Sequence, residues 1–268
     1  MVEIKKFLFF ASAFLMFCCA SNPYHVTEES NEKQLKAFKK TLSNKDKINF
    51  GKTNSDWIST VNFNLRKPNF VVIHHTAQDS LQQTIRTFTL EKTQVSAHYV
   101  IADNGKVVQM LNDYLRAWHA GNASWGNTTD INSISIGIEL DNNGVEPFSN
   151  AQIDSLIELL TRLKKLYNIP TQNFIGHADI APSRKNDPSI LFPWKKLSEN
   201  GFGIWYDDVL TDAPVGFDAV LGLRIIGYNT KNLPEAIIAF KRHFMPTEMN
   251  DIIDDKAKNI IFNLYQKI

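Results

Sequence analysis

The chain has 268 residues, enough for one large domain or for one medium and one small domain. Hydrophobic residues make up 43% and charged residues 21% of the chain, a composition that supports a buried core and argues against long disorder. The formal net charge is +1 and no dense stripe of lysine and arginine occurs, so no nucleic-acid partner is expected.

Residues 1–19 have the pattern of a secretory signal. Lys5 and Lys6 precede an apolar run, Phe7–Cys19. This run has about 13 residues, fewer than the ~20 that a helix needs to cross a bilayer. A buried core helix is the alternative interpretation, but the position at the start of the chain, after two lysines, favours export.

The two cysteines of the chain, Cys18 and Cys19, end the apolar run. A cysteine at this point, followed by a small polar stretch, resembles the lipidation site of bacterial lipoproteins. Cys19 is the preferred site and Cys18 the alternative, because the residue before a lipidated cysteine is normally small. The mature chain then keeps at most one cysteine, so catalysis must rest on histidine, carboxylate, lysine or hydroxyl groups.

Residues 20–54 are polar and rich in lysine, glutamate, asparagine and serine. This composition predicts a tether or a peripheral segment. Signals of regular structure begin near Trp57, so we place the first folded domain at residues 55–204.

The first strand of this domain is predicted at Phe70–Ile73, a short apolar run typical of a strand buried on both faces. The run leads directly into His74 and His75. Ser80–Lys92 is predicted to be a helix, because it opens with a capping box and its apolar residues recur at helical spacing.

The next strands are predicted on either side of a tight turn. His98–Ile101 and Val107–Met110 flank Asn104-Gly105, a dipeptide typical of hairpins. Ser133–Leu140 then alternates between apolar residues on one face and small or polar residues on the other. Its second face predicts open space above the sheet, into which Glu139 points.

The longest helix is predicted at Ser149–Tyr167, which carries one apolar stripe. Phe174–Gly176 is a short strand that ends in His177, and a loop punctuated by prolines follows. Because strands alternate with helices, the expected fold is an α/β architecture with a mixed central sheet flanked by helices.

The pattern of predicted elements changes after residue 204. Three short amphipathic helices are predicted at Asp218–Ile226, Pro234–Phe244 and Asp254–Tyr265. They indicate a small helical domain at 205–268, which is marginal alone and is expected to pack on the first domain.

Two of the predicted strands lead into histidines, His74 and His177, and Asp187 follows in the proline-rich loop. The ends of strands are where α/β proteins place their sites. Two imidazoles and one carboxylate suit a catalytic zinc ion with a fourth position left for water. Spacing alone makes this a weak signal, since isolated histidines are more often structural and Asp179 is a rival third ligand.

Hydrolysis at a zinc site also needs a general base and a group that stabilises the oxyanion. Glu139 is the candidate base, because it stands alone on the open face of its strand. Lys185 lies two residues before Asp187 and is the candidate cation.

Several segments of the domain also resemble a known family. In their order along the chain, these segments are Val72–Ala77, Ser96–Ile101, Ala117–Gly121, Ser135–Leu140 and Gly176–Pro188. Together they resemble the zinc-dependent N-acetylmuramoyl-L-alanine amidases of the peptidoglycan-recognition-protein and T7-lysozyme fold, over roughly residues 55–200. The resemblance implies hydrolysis of the amide between N-acetylmuramic acid, or its anhydro form, and L-alanine in wall turnover or recycling.

Carried over to this chain, the resemblance implies that His74, His177 and Asp187 bind zinc. Glu139 matches the catalytic acid/base of the family and Lys185 its transition-state lysine. Asp179 then supports the loop and does not bind the metal.

Further substrate contacts are weaker predictions. His75, Trp118 and His119 are candidates, each with a packing role as its alternative. Three other residues near the motifs are expected to be structural. His98 supports a strand, and the loop residues Ser183 and Arg184 hold Asp187 in place.

The region 205–268 resembles the three-helix peptidoglycan-binding module that accompanies lipoprotein members of this family. This region either binds the cell wall or only supports the first domain, and the sequence leaves both interpretations open. The resemblance implies a periplasm-facing lipoprotein of the cell envelope, anchored by its lipid to the outer membrane, with peptidoglycan and muropeptides as partners. A monomer is assumed by default. Two other functions are weighed: a wall receptor without catalysis, and a lipoprotein that only tethers membrane to wall.

Overall fold

A computed structural model of the chain describes residues 22–43, residue 62 and residues 64–268. The predictions for residues 1–19, the lipidation of Cys19 among them, lie outside the described residues. The chain divides into two compact units, residues 1–59 and residues 60–268.

In the first unit, the predicted tether contains a helix, α1 (His25–Ser43), none of whose residues is buried. This helix was not predicted from the sequence. Side-chain pairs four residues apart support it, with His25 near Glu29 and the oppositely charged Glu32 and Lys36 near each other. Within the described residues, no helix has both the length and the apolar character needed to cross a membrane.

The second unit is built on a sheet of five described strands in the order β3-β2-β6-β1-β7. The central strand β6 runs parallel to both β1 and β2, β7 runs parallel to β1, and β3 is antiparallel to β2. The predicted mixed sheet flanked by helices is therefore confirmed. The strands are β1 (Phe70–His75), β2 (Tyr99–Ile101), β3 (Val107–Gln109), β6 (Ser135–Leu140) and β7 (Phe174–Gly176), with a separate ribbon of β4 (Ser124–Trp125) and β5 (Thr128–Thr129).

The predicted long helix is α3 (Asn150–Tyr167), and Ser149 accepts a hydrogen bond from the Gln152 backbone as its N-cap. Its apolar stripe packs in the main core against side chains of β1, β2 and β6. Leu166, which follows this stripe at a spacing of three residues from Leu163, is nevertheless 49% exposed. At 3.6 residues per turn, position 166 rotates to the side, and Tyr167 takes its place in the core.

The first helix of this unit is shorter than predicted. It is α2 (Leu81–Thr89), and it ends three residues before Lys92. The hydroxyl of Thr93 donates to the carbonyl groups of Thr87 and Leu90, at 2.7 Å each. These bonds satisfy carbonyls that a longer helix would have paired along its own backbone, and the helix ends there.

The remaining helices follow the last strand. A single turn, α4 (His177–Ile180), begins directly after β7, and α5 (Trp194–Glu199) follows the proline-rich loop. The C-terminal helices are α6 (Ala219–Ile226), α7 (Leu233–Phe244) and α8 (Asp255–Tyr265), within one residue of the predicted bounds.

Buried Asp179 connects the C-terminal helices to the end of the sheet. One carboxylate oxygen accepts from the Tyr228 hydroxyl at 2.7 Å, and the other from the Gly176 backbone N–H and His243 Nδ1 at 2.7 and 2.8 Å. The His243 ring also stacks on Trp194, with centroids 3.9 Å apart. Helix α7 and the loop before it thus pack directly against the turn that carries His177.

Candidate metal centre and active site

The three predicted ligands converge from separate elements. His74 is the fifth residue of β1, Asp187 lies in the loop after α4, and all three side chains are buried. The expectation that each histidine ends a strand needs a correction, because His75 still belongs to β1 and His177 is the first residue of α4.

The ligand atoms form a nearly equilateral triangle. His74 Nδ1 lies 2.9 Å from His177 Nδ1, and each of these nitrogens lies 3.0 Å from Asp187 Oδ2. Ligands about 2.0–2.1 Å from a tetrahedral zinc ion lie ~3.3 Å apart. The triangle therefore needs to widen by only a few tenths of an ångström to hold zinc. Within the described residues, this is the group of histidine and acidic side chains with the spacing of a metal site.

The opposite ring nitrogen of His177 is held by the backbone. His177 Nε2 lies 3.1 Å from the carbonyl oxygen of Ala120, which can only accept a hydrogen bond. The proton of a neutral His177 ring therefore sits on Nε2. This leaves a lone pair on Nδ1 that points into the triangle, as a metal ligand requires.

A chain of hydrogen bonds fixes His74 in the same way. The Ser135 hydroxyl donates to the Ile131 carbonyl at 2.7 Å, so it accepts from His119 Nε2 at 3.1 Å. His119 Nδ1 then accepts from His74 Nε2 at 3.0 Å. The lone pair of His74 is thereby left on Nδ1, which faces the two other ligands.

The ionisation states of the triangle also suit a metal. Burial, and then repulsion from His177, lowers the pKa of His74 to about 4, so the ring is neutral. Burial alone would raise the pKa of Asp187, but the close approach of the His177 and His74 rings outweighs it and holds that pKa well below its usual range. Neutral imidazoles and an ionised carboxylate are the forms that bind metal ions.

Glu139 lies beside the triangle on the neighbouring strand. It is the register partner of His74 between β6 and β1, and its Oε1 lies 4.0 Å from His74 Nδ1. Burial, and then repulsion from Asp187, raises the pKa of Glu139 to about 8, while Lys185 opposes the rise. A buried carboxyl group with so strongly perturbed a pKa is typical of an acid or base in a catalytic site.

The expected open space above β6 is partly filled. The His119 ring lies over Gly137, and a Cβ atom at position 137 would come within 2.4 Å of His119 Cγ. His119 is buried beneath His74, whereas Trp118 is 49% exposed beside it. The ring of His98 accepts from the Gly137 N–H and bonds the Leu115 carbonyl, as a structural residue would.

The loop that carries Asp187 is tied down on both sides. The Asp187 carbonyl accepts from the Ala178 N–H at 2.7 Å, and His75 Nδ1 accepts from the Ser189 N–H at 3.0 Å. Arg184 donates to the carbonyl of Ala120 at 2.7 Å, the same carbonyl that His177 Nε2 contacts. Lys185 is exposed at the rim of the site, where its charge acts on His74, His75 and Glu139.

One feature of the site was not found by sequence reasoning. The support of His74 by His119 depends on the ring packing over a glycine of another strand, and no spacing along the chain reveals it. Asp179 was a rival ligand by spacing, but both of its oxygens are engaged away from the triangle.

Comparisons with known proteins bear on the same region. A family model described as N-acetylmuramoyl-L-alanine amidase matches residues 64–190. The N-acetylmuramoyl-L-alanine amidase AmiD of Escherichia coli is 36% identical over 229 residues, which cover 74% of this chain and 82% of that protein. The 1,6-anhydro-N-acetylmuramyl-L-alanine amidase AmpD of Haemophilus influenzae is 38% identical over 122 residues, 44% of this chain and 66% of that protein.

Solved structures give a similar result. The chain matches E. coli AmiD in complex with anhydro-N-acetylmuramic acid-L-Ala-D-γ-Glu-L-Lys at a TM-score of 0.68 and 31% identity, covering 84% of this chain and 98% of that one. It matches AmpDh3 of Pseudomonas aeruginosa at a TM-score of 0.70 and 26% identity, covering 82% and 98%. Both matches extend beyond the region of the family model, into the C-terminal helices.

Proposed function

The chain belongs to the N-acetylmuramoyl-L-alanine amidase family, and from this premise we propose how its own residues carry out the reaction. The enzyme hydrolyses the amide between N-acetylmuramic acid and L-alanine in peptidoglycan. We assign one zinc ion to His74, His177 and Asp187. The observation that carries this assignment is the triangle of ligand atoms 2.9–3.0 Å apart, with the lone pairs of both histidines directed into it.

A zinc ion bound there would lower the pKa of a water molecule and polarise the carbonyl group to be attacked. Glu139 is the proposed general base, since it is buried beside the ligands, where the charge of a bound zinc ion would lower its raised pKa and favour the carboxylate form. It takes a proton as the new C–O bond forms and passes it to the nitrogen of L-alanine as the C–N bond breaks. The ammonium group of Lys185 at the rim stabilises the negative charge that develops on the carbonyl oxygen.

The substrate is proposed to be a muropeptide with a stem that begins L-Ala-D-γ-Glu. The similar E. coli enzyme was solved with an anhydro-muramyl tripeptide, and a second structure of P. aeruginosa AmpDh3 holds an anhydromuramic pentapeptide. We propose that this chain accepts the anhydro form as well as the ordinary muramyl group. His75 and Trp118 remain candidate contacts for the sugar or peptide, whereas buried His119 is assigned to support of His74.

The cellular setting is proposed from sequence patterns. Residues 1–19 act as a lipoprotein signal, Cys19 carries the lipid, and residues 20–54 tether the enzyme to the outer membrane on the periplasmic side. The amidase domain spans residues 55–204, and helices within 205–268 form the peptidoglycan-binding-like region. The enzyme is proposed to act as a monomer.

Mass spectrometry of digested peptidoglycan tests the assignment of bond and metal together. The purified protein should release free stem peptides from intact and anhydro muropeptides, and a chelator should abolish the release until zinc is restored. A Glu139→Gln variant should bind zinc but release peptides at least ~100-fold more slowly, as expected for loss of a general base. Release of peptides by a fully demetallated enzyme would contradict the zinc assignment.

A further inference from the structure

A second polar cleft adjoins the active site, between the Asp187 loop and helix α7. Its volume is about 310 Å³. The loop contributes Ser183, Lys185 and Asn186 to its lining, and α7 contributes Glu235 and Arg242. Because Lys185 belongs both to this cleft and to the rim of the metal site, a substrate bound at the metal can extend into the cleft.

Arg242 is the central feature of this cleft. It is half-buried, and burial lowers its pKa while attraction to Asp179 and Asp187 opposes that effect. Both carboxylates are already engaged, Asp187 by the two histidine ligands and Asp179 by Tyr228, His243 and Gly176. Among the described residues, Arg242 forms neither an ion pair nor a hydrogen bond, so its guanidinium group is free to bind a ligand.

The charges around the cleft favour an anion. Arg184 is held by backbone carbonyls, and Lys185 is exposed near Arg242. Glu235, seven residues before Arg242 on α7, is the opposing acid among the lining residues. Among the residues that line the cleft, three cationic side chains stand against one carboxylate, and the Asp179 and Asp187 carboxylates outside the lining are engaged by other partners. An arginine fork binds a carboxylate in two parallel hydrogen bonds, a geometry that lysine cannot reproduce.

The stem peptide offers such a carboxylate. In an L-Ala-D-γ-Glu stem, the γ-linkage leaves the α-carboxylate of the second residue free. It is the first free anion on the leaving-amine side and lies ~6 Å from the scissile nitrogen in an extended chain. We propose that Arg242 binds this α-carboxylate, which makes helix α7 part of the substrate site. The assignment rests on the proposed function.

A pair of substrates tests the proposal with the full-length enzyme. One is muramyl-L-Ala-D-γ-Glu-L-Lys, and the other is its analogue in which the α-carboxylate is an α-carboxamide. The wild-type enzyme should cleave the carboxamide with a kcat/KM about 10- to 100-fold lower, mainly through KM, because a charge-assisted hydrogen bond is lost. Arg242→Gln should lose a similar factor on the carboxylate substrate and little on the carboxamide.

Matched variants separate this role from a structural one. Arg242→Lys should keep part of the preference for the carboxylate, and Glu235→Gln, in the same cleft and on the same helix, should keep all of it. Equal cleavage of both substrates by the wild type, or an equal loss on both in Arg242→Gln, would overturn the proposal. A preference retained in Arg242→Gln would assign the carboxylate to another residue.

Should the wild type cleave neither substrate, it is the proposed function that has failed. If Arg242→Gln does not fold, the wild-type comparison alone decides the carboxylate preference, and Arg242→Lys decides the residue.

Discussion

At the scale of single residues, His119 shows how a side chain that cannot touch the metal still prepares the site. It passes the hydrogen bond of His74 on to Ser135 and so to a backbone carbonyl. Burial, and then repulsion from His74, lowers the pKa of His119 well below its usual value, so the ring stays neutral and accepts at Nδ1. The Ile131 carbonyl can only accept, and it therefore fixes the direction of all three hydrogen bonds in the series His74–His119–Ser135–Ile131.

Replacing His119 should weaken zinc binding. A His119→Ala variant removes the acceptor that orients His74, and losses of such support typically cost 10- to 100-fold in metal affinity. Competition with a chromophoric chelator measures this affinity directly. A His98→Gln variant is the matched control, since His98 is also a buried histidine beside Gly137 but bonds no ligand. Equal zinc affinity in His119→Ala and wild type would refute the supporting role.

A side chain at position 137 should destabilise the protein while His119 is present. A methyl group there meets the His119 ring at 2.4 Å, so Gly137→Ala should lose about 1–3 kcal/mol of unfolding free energy, as overpacked sites do. Urea denaturation measures the loss. In a His119→Ala background the same change should cost much less, because the ring is gone, and additive costs would contradict the packing explanation.

At the scale of elements, the strands and helices were largely predictable because their apolar residues repeat with a clear period. The bounds of α3, α6 and α8 follow from capping residues and apolar stripes, and α7 begins beside Pro234. The early end of α2 was not predictable, since it depends on a hydroxyl of Thr93 folding back. Helix α1 was missed because a polar, charged sequence also suits a tether.

The candidate site divides in the same way. Ligands that follow short apolar strands, such as His74 and His177, can be proposed from sequence, and the family resemblance completed the set with Asp187. The contact of His119 with His74 joins residues 45 positions apart, and that of Asp179 with Tyr228 joins residues 49 positions apart, so no local pattern reveals them.

The tie between Asp179 and the C-terminal helices should be measurable. Tyr228→Phe removes one donor to a buried carboxylate, and hydrogen bonds to charged groups are worth about 1.5–3 kcal/mol. The free energy of unfolding should fall by this amount, and the melting temperature with it. Trp125 packs edge-on against the same ring and should still do so in Tyr228→Phe, which isolates the hydroxyl. Unchanged stability would show that the bond contributes nothing to holding the turn.

At the scale of the whole molecule, residues 60–268 form one compact unit, in which the C-terminal helices supply partners to a buried acid of the sheet region. These direct contacts support the interpretation that the C-terminal helices stabilise the amidase region. Their binding to the wall remains a prediction, and the proposed role of Arg242 would give the same helices a part in substrate recognition.

Removing residues 205–268 should destabilise the amidase region. Truncation takes away Tyr228 and His243, two donors to Asp179, and hydrogen bonds to a charged group are worth about 1.5–3 kcal/mol each. It also uncovers Trp194, which stacks on His243. Circular dichroism during heating should show a lower or less cooperative transition than in the full chain. A truncated protein that melts like the full chain would refute this stabilising role.

The central claim, one zinc ion held by three side chains, is tested most directly by anomalous diffraction at the zinc edge from crystals of the zinc-loaded protein. We expect a single strong peak at about 2.0–2.2 Å from Nδ1 of His74, Nδ1 of His177 and an oxygen of Asp187. Absence of a peak at that position, or a peak bonded to other side chains, would contradict it.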